Sequence, residues 1–71
     1  MDKKGEYGVH ELDVVKLKYD FHGLTPGTIG TIVLEYDGTQ FEVEFIEGNG
    51  NTIEVLTTPA DKIELVTAYL H

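Results

Sequence analysis

Gln40-Phe41-Glu42-Val43-Glu44-Phe45 is the stretch on which the reading of this chain turns. Polar and apolar residues alternate in it without a break. An extended chain places successive side chains on opposite faces, so a period of two marks a strand with one buried and one wet side. Phe41, Val43 and Phe45 are assigned to a core, and Gln40, Glu42 and Glu44 to water. Just upstream, Asp37-Gly38 is a strong hairpin signal, because a tight turn needs residues that tolerate positive φ. Before that turn, Thr28-Ile29-Gly30-Thr31-Ile32-Val33-Leu34-Glu35-Tyr36 is rich in β-branched residues and reads as a preceding strand. Gly30 interrupts it, which predicts a bulge or a sharp bend.

Working outward, Glu47-Gly48-Asn49-Gly50-Asn51 reads as a second tight turn and Thr52-Ile53-Glu54-Val55-Leu56-Thr57 as another strand. Pro59-Ala60-Asp61 ends that strand as a single 3₁₀ turn, and Ile63-Glu64-Leu65-Val66 gives a short last strand. A rival reading makes Pro59–Leu70 a helix, with proline in its first turn and Ile63, Val66 and Leu70 at helical spacing; its β-branched residues count against it. Towards the N-terminus, Asp13-Val14-Val15-Lys16-Leu17-Lys18-Tyr19 alternates, with Val15, Leu17 and Tyr19 on one face. The segment from Asp20 to Gly27 is a loop that ends in the turn-forming pair Pro26-Gly27.

Five short strands, a long first loop, two tight hairpins and a one-turn break predict an all-β fold, a small five-stranded SH3-like barrel with a 3₁₀ turn before the last strand. A bend at Gly30 would let the second strand serve both sheets, and closure would remove most exposed edges. The expected organisation is an N-terminal arm over residues 1–10, the barrel over 11–66 and a C-terminal tail over 67–71. Val66 at the end of the barrel and Ala68, Tyr69 and Leu70 in the tail offer an apolar surface to the barrel or to a second copy. Strand or helix in the tail, and a homo-oligomer, are both left open.

Charge is the most distinctive bulk property. Thirteen acids face five lysines among 71 residues, arginine is absent, and the formal net charge is −8. Nucleic-acid binding depends on neutralising phosphates with a basic surface, so no nucleic-acid partner is expected. Anionic membranes are disfavoured for the same reason. A basic partner protein, or solubility alone, accounts for the balance. A domain this short buries only about 60% of its unfolded surface. It has no cysteine, which excludes disulfides, thiolate zinc sites and thiol chemistry and fits a reducing, cytoplasmic location. The polar start Met1-Asp2-Lys3-Lys4-Gly5 has no apolar run behind it, so neither a signal peptide nor a membrane helix is expected.

Four stretches carry a family likeness: Glu11-Leu12-Asp13-Val14-Val15, Gly27-Thr28-Ile29-Gly30-Thr31-Ile32-Val33, Phe41-Glu42-Val43-Glu44-Phe45 and Leu56-Thr57-Thr58-Pro59-Ala60-Asp61. Together they resemble a bacterial family of small domains of unknown function, the one numbered 4926, over roughly Glu11 to Val66. The resemblance implies a small SH3-like barrel in a bacterial cytosol and no settled activity. Leu17-Lys18-Tyr19-Asp20-Phe21 is also similar to the Ala-Leu-Tyr-Asp-Tyr motif of eukaryotic SH3 domains, and Pro59-Ala60-Asp61-Lys62-Ile63 to their Pro-Ser-Asn-Tyr-Val stretch. The chain has no tryptophan, and Lys62 stands in place of the groove tyrosine, which argues against a proline-peptide groove. Gly27–Val33 resembles the KOW-type strand of ribosomal and transcription proteins, without the basic residues that bring those domains to RNA.

No catalytic, cofactor or metal motif is present. His10, His22 and His71 have no ligand spacing and read as solvated loop or tail residues. Glu42 and Glu44 share a strand face; acid–base work would need an enclosed site, so they read as a wet acidic surface. Asp37-Gly38 and Asn49-Gly50-Asn51 lack the spacing of a calcium loop, and Gly27-x-x-Gly30 leads into a strand rather than a helix. Tyr19, Phe21 and Tyr36 flank the long loop and the first hairpin, as core lids or as recognition residues. The expected function is therefore a non-catalytic protein–protein interaction module whose loop face carries Tyr19, Phe21, Tyr36 and Pro59. Two alternatives follow from the charge and size. One is an acidic antitoxin- or inhibitor-like partner that presents Glu42 and Glu44 to a basic active site. The other is an accessory subunit or assembly factor of a larger enzyme.

Overall fold

Phe41, Val43 and Phe45 are fully buried, as the alternation of their strand requires. That strand sits inside a five-stranded antiparallel sheet in a computed structural model that describes residues 8–69. The elements are β1 (Val14–Leu17), β2 (Ile29–Glu35), β3 (Gln40–Ile46), β4 (Thr52–Pro59), a 3₁₀ turn (Ala60–Lys62) and β5 (Ile63–Thr67). The 3₁₀ turn and the strand after it take the place of the rival helix. The expected arm falls mostly on residues 1–7 and the end of the tail on 70–71, both outside the described residues. Val9 is described, and it belongs to the core.

The strand order is β4-β3-β2-β1-β5. β3 pairs with its sequence neighbours through the two hairpins, which set its register: Val43 lies opposite Ile32 on one side and Leu56 on the other. Of the two remaining ladders, β1 pairs with β2 across the long first loop, and β5 returns from the far end of the chain to lie beside β1 so that Leu17 faces Ile63. Val15, Leu17, Ile32, Ala60 and Ile63 close over the β3 residues, and Phe21, Leu24 and Leu56 pack against them from the side.

The predicted SH3-like barrel is not formed: the sheet is open. Closure would need a ladder between β4 and β5, and among the described residues each of these strands pairs on one side alone, β4 with β3 and β5 with β1. Three residues of 3₁₀ turn separate β4 from β5 and redirect the chain at that corner. Ala60 and Ile63 are buried there, so hydrophobic packing fills the corner where barrel closure would require hydrogen bonds. Ile53, Val55, Leu65 and Val66 on the two edge strands are left exposed.

Two further expectations need correction. Tyr19 does not continue the buried face of β1. The strand ends at Leu17, where the Gly27 N–H bonds the Leu17 carbonyl and the Lys18 N–H bonds the Lys62 carbonyl. Beyond that point the alternation has no partner strand, and Tyr19 is 55% exposed. Gly30 is not the site of the β2 bulge either; the register slips between Ile32 and Leu34. Gly30 is glycine because the strands approach closely. A Cβ there would lie 2.6 Å from Val43 Cγ1 and 3.0 Å from both the Glu44 carbonyl oxygen and Phe45 Cδ1. Gly30→Ala should therefore cost about 1–3 kcal/mol through overpacking. Gly48→Ala, where the added methyl meets nothing within 4 Å, should stay within about 0.5 kcal/mol. Urea midpoints at unchanged slope measure both.

Two polar residues are buried in the core, Thr58 and the acidic Asp13, which is 1% exposed. A buried carboxylate is tolerated only when its oxygens are bonded. Its Oδ2 accepts from the His10 N–H and its Oδ1 from the Tyr69 N–H, both at 2.8 Å. The first bond tightens a turn in which Leu12 takes a left-handed φ of 76°, a strain of about 1–2 kcal/mol for a side-chain-bearing residue. The second ties the end of β5 to the start of β1. Asp13→Ala is expected to destabilise the domain by about 1.5–3 kcal/mol, the range for hydrogen bonds to a charged group. Amide exchange at Tyr69 should rise with it.

Candidate protein-interaction surface

Glu42 and Glu44 lie two residues apart on β3, on the face away from Phe41, Val43 and Phe45, which puts both carboxylates on the outer side of the sheet. Neighbouring strands hold them. Tyr36, just past β2, donates its hydroxyl to Glu42 Oε2 at 2.9 Å, and Thr57 on β4 donates to Glu42 Oε1 at 3.0 Å. Thr52, at the start of β4, donates its hydroxyl to Glu44 Oε2. Register explains the contacts: Glu42 pairs directly with Thr57, and Glu44 pairs with Val55 on the same strand as Thr52. Glu42 is thereby bridged between the β2 and β4 sides, and Glu44 is tied to β4. The hydrogen bond to Glu42, with desolvation and the Glu42 charge behind it, pushes the Tyr36 hydroxyl above the usual tyrosine range.

The other predicted site residues fall into separate groups. Tyr19 lies between two cations, with Lys18 Nζ 5.8 Å and Lys62 Nζ 5.6 Å from its ring centroid. Such contacts contribute about 0.5–1 kcal/mol at exposed sites. Phe21 is half-buried against the core, bridges to Leu24 and meets the His22 ring edge-on. Pro59 borders a small depression with Thr39, Gln40 and Asp61. The 3₁₀ turn links these groups: its Ala60 N–H bonds the Thr39 carbonyl in the β2–β3 hairpin, and its Lys62 carbonyl accepts from Lys18. Tyr36 and Glu42 are thus in direct contact, Glu44 is beside them, and Tyr19 and Phe21 belong to the first loop. His10 Nδ1 lies 3.6 Å from Glu35 Oε1. His71 is outside the described residues. Among the described residues no group of three or more His, Cys, Asp or Glu is placed to hold a metal ion, and no helix is long and apolar enough to cross a membrane.

Charge is unevenly distributed over this framework. From Tyr19 to Asp61 the sequence contains no lysine or arginine. β2, β3 and β4 lie wholly inside that run and carry Glu35, Glu42, Glu44 and Glu54, with Asp37 and Glu47 in their hairpin turns. Lys16, Lys18 and Lys62 all belong to β1, its following loop and the 3₁₀ turn. Net charge conceals this polarity. It was not anticipated from the sequence, and the lysine-free run is the signal that marks the acidic half of the sheet once the strand order is known. Two shallow grooves also lie on the surface of the described residues. One of about 470 Å³ lies between Pro26, Ile29, Ile46 and Ile53. The other, about 450 Å³, lies between Leu12, Val14 and Tyr69.

With this geometry in view, the relationship to known proteins can be stated. The model of a family described as "Domain of unknown function (DUF4926)" matches residues 11–65. The chain belongs to this family. The match covers all of β1 to β4, the 3₁₀ turn and most of β5, so the acidic face and the open edge of β4 lie inside the family domain. No curated protein and no solved structure matches the chain significantly.

The hairpin that presents Tyr36 depends on Asp37, whose Oδ1 accepts from the Thr39 N–H at 3.0 Å, the Thr39 hydroxyl at 2.8 Å and the Gln40 N–H at 3.2 Å. These bonds, those from Thr39 first, hold the Asp37 carboxyl below the usual carboxylate range. A lowered pKa means that the charged form stabilises the folded state. That contribution is complete above about pH 4, the unfolded value, and is lost as pH falls through the lower folded value. The stability difference between the wild type and Asp37→Ala should therefore be constant from pH 7 to about 4 and narrow below it, as followed by urea denaturation at each pH.

Proposed function

We propose that this domain is a non-catalytic protein-interaction module whose acidic β2–β4 face receives a basic surface of a partner protein. The carrying observation is the pair Glu42 and Glu44, held by donors from Tyr36 just past β2 and from Thr57 and Thr52 on β4, where β2, β3 and β4 contain no lysine or arginine. Carboxylates positioned before binding lose little side-chain freedom when a lysine or arginine arrives. An unbalanced acidic face also speeds encounter with a positively charged partner and rejects acidic ones. An inhibitor that covers a basic active site and an accessory subunit that docks on a basic enzyme would use the same contact. They differ in whether the partner loses or gains activity on binding.

A photo-crosslinking residue at Tyr36, compared with one at Tyr69 outside the acidic half, tests the reading in lysate of the source cell. Position 36 should capture a basic protein, less of it as salt rises. The double reversal Glu42→Lys with Glu44→Lys should weaken binding to that protein at least about tenfold while leaving the circular dichroism spectrum unchanged. Crosslinks from position 69 alone, or affinity indifferent to the reversal, would overturn the proposal.

A further inference from the structure

We infer that the free edge of β4 accepts an added strand, and that its occupant is an extended segment with basic residues at alternate positions. The inference rests on the acidic-face reading and specifies what the face binds. Sheet edges offer unpaired backbone N–H and C=O groups, and proteins ordinarily guard them with lysine, internal proline or short length. β4 has few such guards. It is the longest strand, eight residues, and among the described residues it pairs only with β3. Its single charge is Glu54, and its proline is the terminal residue, Pro59. Ile53 and Val55 are 40% and 49% exposed. The opposite edge, β5, is shorter, and its Glu64 is paired with Lys16.

The chemistry of the occupant follows from where the carboxylates point. An added strand would lie about 4.8 Å beyond β4. Glu42, bridged between Thr57 and Tyr36, and Glu44, bonded by Thr52, lie on the outer face beside β4, one strand in from that position and within the length of a lysine or arginine side chain. Being two residues apart on β3, they are spaced about 6.8 Å along the sheet, which is the spacing of residues i and i+2 on the incoming strand. Lysine or arginine at those two positions would therefore meet one carboxylate each. The residue between them would turn to the other face, beside half-buried Leu56. A second copy of this chain fits less well. Its β4 would bring no cation to Glu42 and Glu44, and each copy carries a net charge of −8.

The test uses the heptapeptide Lys-Val-Lys-Val-Lys-Val-Lys with the full chain, followed by isotope-edited NMR and by fluorescence anisotropy. Binding should slow exchange at alternate backbone amides between Ile53 and Thr57. N-methylation of the peptide's valine amides, which leaves the domain untouched, should weaken binding at least tenfold. Glu42→Gln with Glu44→Gln should weaken it similarly and flatten its salt dependence, and Val55→Pro should abolish it. Shifts at Glu42 and Glu44 with no protection on β4 and no effect of N-methylation would overturn strand addition while leaving the acidic-face proposal intact. No saturable binding of the peptide in low salt would overturn both. A dimer in the analytical ultracentrifuge that protects the β4 amides without peptide would assign the edge to a second copy and overturn the inference.

Discussion

The buried carboxylate of Asp13 holds together the part of this fold that local sequence cannot. Two hairpins make β2, β3 and β4 a continuous local unit, but β1 and β5 are joined across the length of the domain. β1 is the strand that carries both connections, pairing with β2 on one side and β5 on the other. Only four residues form it, so side-chain bonds at its start matter. Asp13 supplies them by binding the His10 and Tyr69 amides. Such long-range pairing costs loop-closure entropy before any contact rewards it. A buried carboxyl group with both oxygens bonded offsets part of that cost and pins one register.

What the tether does not do is close the sheet. With β5 committed to β1 and β4 to β3, the two edges face solvent, and the 3₁₀ turn between them packs Ala60 and Ile63 inward. The resulting domain has two unlike halves. Lysines gather on β1 and the 3₁₀ turn, where Lys18 and Lys62 flank Tyr19. The β2–β4 half holds only acids, with its carboxylates bonded across the strands beside an open edge. Two features that are each ordinary, an acidic face and a free edge strand, thus occupy adjacent positions and favour the same kind of partner.

Much of the secondary structure was legible in the sequence because it depends on local patterning. Gln40–Phe45 announced itself by strict alternation, Asp37-Gly38 by turn chemistry, and Ala60–Lys62 by the proline before it. Phe41, Val43, Phe45, Val15 and Leu17 were readable as core for the same reason. Tyr19 was misplaced because alternation says nothing about where a partner strand stops. Gly30 was misread because a glycine in a strand signals a bulge and a close approach alike; only the position of Val43 and Phe45 across the ladder separates them. Asp13 gave no signal as a core residue, since its partners are backbone amides three and 56 residues away.

By itself, then, the sequence determined an all-β domain of five strands with its turns, most of its core, and a family membership that extends over residues 11–65. It also determined a strongly acidic character, including a lysine-free run whose meaning needed the topology. Tertiary structure alone decided that the sheet stays open, that Gly30 is required by packing, and that Glu42 and Glu44 are held by Tyr36, Thr57 and Thr52. The physical reason is one of range. Periodicity and turn chemistry act between residues a few positions apart, whereas closure, register slips and cross-strand hydrogen bonds depend on which distant strands meet and how they are offset.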